Sequence, residues 1–208
     1  NLCAIGDGTP GGWELLQFRD AELVAPDTYI LRHRLRGQLG TEAAGATVWP
    51  AGSIVVRLDG VPQQIELTEA QRGRARHYRI GPGGRPVDDP AYRHAVIAFD
   101  GLGMRPYAPV HLRVTEAGGD LRVTWIRRTR IGGDRWDTPE VPLGEERESY
   151  LVRVRRGAQV LREEIVSSPD WIYPAAVRAA DGPESGKRIE VAQISAAFGP
   201  GVAAARNL

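Results

Sequence analysis

Apolar and polar residues alternate with a period of two through most of this chain, and clusters of glycine and proline break the alternation at short intervals. A period of two marks a strand with one buried face, because successive side chains point to opposite sides of a pleated sheet. Twenty-five glycines and fifteen prolines among 208 residues exceed the usual combined share of about an eighth. Both residues disfavour helix interiors, so long helices are excluded and many short strands joined by tight turns are expected. The fold class that follows is all-β, built from two consecutive antiparallel β domains.

In the first half, the alternation predicts strands over residues 13–19, 28–36, 53–58, 63–67 and 77–80. Between them stand residues 6–12, Ala25-Pro26-Asp27, Trp49-Pro50-Ala51-Gly52 and Asp59-Gly60, all with the chemistry of tight turns. One short helix is expected over 69–76, with Thr68 as its N-cap. From residue 81 to 109 the sequence changes character, with Gly81-Pro82-Gly83-Gly84-Arg85-Pro86, then Asp89-Pro90, and finally Arg105-Pro106-Tyr107-Ala108-Pro109. Proline cannot donate to a ladder and biases its predecessor toward extended conformations. The last of these segments therefore reads as a stiff linker and domain boundary, giving a β-rich domain over 1–105 and a sandwich over 106–208.

In the second domain, strands are expected over 110–115, 121–126, 149–156, 159–166 and 188–195, with hairpin turns at Gly118-Gly119-Asp120 and Arg156-Gly157-Ala158. Leu112, Val114, Leu121, Val123, Trp125, Tyr150, Val152 and Val154 share the inward parity. Arg113, Arg122, Arg153 and Arg155 take the other face, which reads as a solvated surface paired with Glu145, Glu146, Glu148, Glu163 and Glu164. Residues 128–148 form a long connection, expected to pack on its own sandwich or on a neighbouring subunit through Trp136.

Lys and Arg total 27 against 26 Asp and Glu, so net charge names no polyanionic partner. No sequence-specific nucleic-acid contact and no transmembrane segment are expected. One cysteine, Cys3, excludes an internal disulfide and any cysteine-based metal cluster. The chain opens Asn1-Leu2-Cys3 without the pattern of a secretory leader, and reads as a piece of a longer polypeptide. Phosphate-cradling, dinucleotide-binding, nucleophile-elbow and zinc-protease motifs are absent from the sequence. His33, His77, His94 and His111 lack the spacing that places two ligands on one face. Asp88 and Asp89 with His94 and Asp100 form the most suggestive polar group, although Asp89-Pro90 is also an ordinary turn opener. No catalytic residue, metal or cofactor is therefore expected. Of five tryptophans, Trp49, Trp136 and Trp171 fall in predicted loops and are the candidates for contact with a partner or a glycan.

Two stretches carry a resemblance. Ala25-Pro26-Asp27-Thr28-Tyr29 followed by Leu35-Arg36-Gly37-Gln38-Leu39-Gly40-Thr41-Glu42 resembles a signature of large tail-tip proteins in long-tailed phages and gene transfer agents. The run Pro106-Tyr107-Ala108-Pro109-Val110-His111-Leu112, with Val123-Thr124-Trp125-Ile126-Arg127-Arg128, Pro142-Leu143-Gly144-Glu145, Tyr150, Val191-Ala192-Gln193-Ile194-Ser195 and Gly199-Pro200-Gly201, is similar to the C-terminal end of the same proteins. The resemblance, to the multidomain baseplate proteins of alphaproteobacterial gene transfer agents, spans nearly the whole chain. It implies a structural, non-enzymatic part of a tail tip, built as a homotrimer on the tail axis. The particle would assemble in the bacterial cytoplasm, contact the recipient envelope and allow DNA delivery. Partners would be other tail-tip subunits and the rest of the same polypeptide. Members of this family also resemble carriers of a glycoside-hydrolase-like barrel, which needs about 250 residues and cannot fit here. The C-terminal half resembles a fibronectin type III sandwich. The alternative is a saccharide-binding appendage that recognises envelope polysaccharide.

Overall fold

The computed structural model describes every residue except 61, 134–136, 138 and 139. The chain divides into two compact units, Asn1–Leu102 and Gly103–Leu208. Strands dominate both, and the one α-helix among the described residues is six residues long.

In the first unit, β1 (Leu2–Gly6), β2 (Trp13–Ala25), β3 (Thr28–Gln38) and β4 (Ile54–Arg57) form an antiparallel sheet in the order β3-β2-β1-β4. Pro26 and Asp27 turn β2 into β3, and Asp27 adopts φ 56°, a conformation short polar side chains tolerate better than most. On the β2 side, strand β1 reaches only Trp13–Gln17. From Phe18 to Ala25, β2 has β3 as its only ladder partner, so a two-stranded ribbon roughly 25 Å long extends past the four-stranded part. A second ribbon pairs β5 (Ala75–Ile80) with β6 (Arg93–Ala98).

The expected strand at 63–67 does not form, because its alternating residues find no ladder partner. The expected helix over 69–76 shrinks to a single 3-10 turn, Glu69–Gln71. Thr68 caps it in a reciprocal capping box with Gln71, as its residue type suggested, but Gly73 at φ 70° ends the turn and β5 begins two residues later.

Among the described residues, the second unit is a sandwich of seven strands. β7 (Val110–Ala117), β8 (Asp120–Ile126) and β11 (Asp170–Tyr173) form one sheet in the order β11-β8-β7. β9 (Tyr150–Arg156), β10 (Gln159–Val166), β12 (Lys187–Ser195) and β13 (Gly199–Asn207) form the other, ordered β10-β9-β12-β13. This division into three and four antiparallel strands is fibronectin type III-like. Val123, Trp125, Tyr150, Val152, Val154, Trp171, Tyr173, Ile189 and Val191 make the core, with Leu112, Val114 and Leu121 packed against it. Pro106 is buried, its carbonyl accepts the Val202 N–H at 3.2 Å, and Gly201 lies so close that a Cβ there would meet Pro106.

Helix α1 (Ala175–Ala180) follows Pro174, and its C-terminal end is held by the only lysine. Lys187 is 1% exposed and donates from Nζ to the carbonyls of Arg178 (3.1 Å) and Gly182 (2.6 Å). A cation at that end also complements the helix dipole. Arg122, Arg153 and Arg155 of the arginine face are ion-paired, with partners partly different from those expected. Arg153 meets Glu163 at 2.7 Å as foreseen, while Arg122 takes Asp170, and Arg155 and Arg188 share Glu190. Glu145, Glu148 and Glu164 are drawn elsewhere, to Arg130, the Tyr150 hydroxyl and the Trp171 indole; the two aromatic donors are buried and need an acceptor, and the Glu145 side chain is itself buried and needs a cation.

Candidate functional site

Glu14 shares its β2 parity with Leu16 and Phe18, so the pleat turns it to the side of the sheet that the segment after β3 covers. It is 2% exposed. Between Leu15 and Gln17 the β2–β3 register slips, adding a residue to β3, and Gly37 occupies φ 63° within this bulge. The slip brings Arg36 and the Gly37 amide onto the carboxylate. Oε1 accepts from Arg36 Nε at 2.9 Å and Gly37 N at 3.0 Å, while Oε2 accepts from Arg36 Nη2 at 2.6 Å and Trp49 Nε1 at 2.6 Å. Arg36 also donates to the carbonyls of Ala46 and Thr47, tying down the loop that carries Trp49.

Gln38, Gly40 and Thr41 of the Arg36 to Glu42 motif also have places in this clamp. Thr41 donates to the Gln38 carbonyl at 2.7 Å and accepts the Leu15 N–H at 2.9 Å. Gly40 takes φ 82° ahead of the 3-10 turn Thr41–Ala43. A Cβ on Gly45 would stand 2.7 Å from Glu14 Oε2, so the loop closes only with glycine there. Burial pushes the Glu14 carboxyl up, but the hydrogen bonds from Arg36, Trp49 and Gly37 outweigh it and hold the pKa below 4.5. Both oxygens are saturated with donors, so Glu14 acts as an anionic latch rather than as a proton acceptor.

The sheet beside the latch is sparsely covered. Among the described residues, Cys3, Ala4 and Leu16 are the buried apolar core side chains of the first unit. Leu23 (61% exposed), Tyr29 (59%), Leu35 and Leu39 stand in solvent, as do Val48, Ile54 and Val55. Cys3, Phe18, Tyr29, Leu31 and Val55, together with Asp27 from the turn of the ribbon, line one concavity.

The three tryptophans singled out from sequence have separate fates. Trp49 is half-buried, with its indole N–H spent on Glu14. Trp171 is not a loop residue available for contact: it lies on β11, 5% exposed, 5.2 Å from the Tyr173 ring, and donates to Glu164 at 2.8 Å. The short strand that buries it was masked in sequence by Ser167-Ser168-Pro169, a turn signal at its very start. Trp136 lies outside the described residues. The described ends of its connection fold back locally, with Arg130 Nε 2.9 Å from Glu145 and Glu146 accepting the Ala196 N–H.

The acidic group suggested by Asp88, Asp89, His94 and Asp100 is not assembled. Asp89 accepts the Ala91 N–H in its own turn and lies 3.4 Å from Arg85, while His94 turns to His77. Those two rings are 9° from parallel with centroids 5.1 Å apart and Nδ1 to Nε2 at 2.9 Å. That combination places them end to end in one plane, joined by an N–H···N bond rather than face to face. Among the described residues no three His, Cys, Asp or Glu side chains cluster as metal ligands, and no helix is long and apolar enough to cross a membrane. Cys3 is buried, and desolvation raises its thiol pKa.

A family model described as Rcc01698-like, C-terminal, matches residues 1–56, the stretch that holds β1 to β3, all of β4 but its last residue, and the whole Glu14 clamp. The match is compatible with a phage-like particle protein of the gene transfer agent kind. Among solved structures, domains d3 and d4 of the rat CD45 extracellular region are similar at a TM-score of 0.35 and 9% identity, covering 90% of this chain and 92% of that one. No curated protein matches the sequence.

Proposed function

We propose that this chain is a structural part of the tail tip of a phage-like particle. It would belong to the multidomain baseplate protein known in alphaproteobacterial gene transfer agents as megatron. There it helps assemble the trimeric tip that contacts the recipient envelope and allows DNA delivery, and it has no catalytic task of its own. The observation that carries this reading is the uncovered sheet of the first unit. Each Leu, Ile, Val or Tyr left in water forgoes about 1.5–3 kcal/mol of burial, and a sheet with this much exposed apolar surface marks an interface. The family match to residues 1–56 supports the same reading, because it falls on this sheet. The saccharide-binding alternative loses Trp171 to the core and the Trp49 indole N–H to Glu14.

Immunoelectron microscopy of intact particles, with antibodies raised against residues 1–208, tests the assignment. Label at the tail tip is expected; label on heads or free protein only overturns it. Leu23→Asp combined with Tyr29→Asp, both at exposed positions of the projecting ribbon, should leave the chain folded and block its incorporation.

A further inference from the structure

We propose that the β5–β6 ribbon binds the phosphate backbone of double-stranded nucleic acid without sequence preference, with Arg76, Arg79 and Arg93 as its main contacts. The near-neutral total conceals a segregation of charge. Residues 72–94 carry six arginines against two aspartates, whereas residues 1–71 carry five arginines against nine acidic residues. Register places Arg79 beside His94 on one face of the ribbon, and Arg76 and Arg93 on the other. Strand residues on both faces are exposed. Arg76 and Arg93 make no ion pair among the described residues, and Arg79 donates only to the neutral Val87 carbonyl, at 2.8 Å. Three guanidinium charges therefore stand without a counter-charge, each with the planar fork that fits phosphate oxygens.

The distribution over two faces selects the ligand. A flat anionic surface such as a membrane would meet one basic face, with the opposite face left to contact the rest of the protein. A major groove about 12 Å wide admits a two-stranded ribbon, and a ribbon that enters it edge-first turns its two faces to the two phosphate walls, which is what arginines on opposite faces match. The in-plane His77–His94 hydrogen bond links the two strands diagonally.

Fluorescence anisotropy of the 208-residue chain with labelled duplexes of about 20 base pairs, in two unrelated sequences, provides the test. Three phosphate contacts predict a log–log salt slope near −2.7, about a 40-fold loss of affinity between 50 and 200 mM salt, equal for both sequences. Arg76→Gln with Arg93→Gln should reduce that loss to about 3- to 4-fold, while Arg76→Lys with Arg93→Lys should retain it. Arg153→Gln, which alters an ion-paired arginine of the sandwich, should change nothing. An absence of duplex binding at low salt, or a Gln double variant with the parental slope, overturns the proposal. Tighter binding to phosphatidylglycerol vesicles or to dextran sulfate than to duplex, lost in the same Gln variant, also overturns it by assigning the ribbon to another polyanion.

Discussion

Replacing Glu14 with Gln tests whether the clamp holds the first unit together. The substitution preserves shape but removes the charge, and presents an amide N–H₂ where the carboxylate accepted four hydrogen bonds. The remaining carbonyl oxygen can serve two of those donors, so two are orphaned. A hydrogen bond to a charged group contributes about 1.5–3 kcal/mol, and truncating one partner of a buried ion pair costs about 3–5 kcal/mol. The Arg36 side chain is 39% exposed, so water recovers part of the loss and about 2–3 kcal/mol is expected. For a unit of this size that lowers the melting temperature by on the order of 10 °C. The assay is denaturant unfolding followed by the Trp49 indole N–H resonance, with the Trp125 and Trp171 resonances of the sandwich as an internal reference. The pH dependence carries the sign. Because the folded pKa lies below the unfolded value, the stabilisation is complete above about pH 4.5 and disappears as pH falls through the folded value. Glu14→Gln should abolish that acid sensitivity. A change below about 0.5 kcal/mol, the scale of ordinary surface substitutions, refutes the latch.

Trp171→Ala should destabilise the sandwich by about 3–5 kcal/mol in thermal unfolding, as for other buried tryptophans, and leave binding to any saccharide unchanged. Lys187 has its pKa lowered, by desolvation first, so folding stability should rise with pH from the lowered value up to the unfolded value near 10.5. Lys187→Met removes that rise, which denaturation curves between neutral and alkaline pH will register. Gly201→Ala forces a Cβ against Pro106 and should cost about 1–3 kcal/mol, read as a lower denaturation midpoint of the sandwich alone.

The sandwich was legible because its strands obey strict parity: Leu121, Val123 and Trp125, then Tyr150, Val152 and Val154, turn inward as alternation requires. Strand β1 was not, since Leu2-Cys3-Ala4-Ile5 is a continuous apolar run without alternation. Strand β6 lies inside the proline-rich region 81–109, where no strand was expected, and β11 is only four residues long. Helix α1 is a single Ala-rich stretch after a proline and depends on Lys187 for its C-terminal cap. The stretch 63–67 shows the converse, because alternation without a partner strand makes no ladder. The Glu14 clamp was hidden because its contacts cross 22 to 35 residues of sequence. One signal for it existed: Glu14 has the parity of Leu16 and Phe18, so a carboxylate stood on the apolar face and needed a cation there. The motif from Arg36 to Glu42 supplied that cation, yet sequence presented it only as a resemblance.

The central claim is that the bare sheet of the first unit is an assembly surface, and a density map of the intact particle tests it most directly. The account predicts Leu23, Tyr29, Leu35 and Leu39 buried against neighbouring subunits at the tail tip. A map that places this chain at the tip with those four side chains still in solvent, or one that contains no density for the chain, contradicts it.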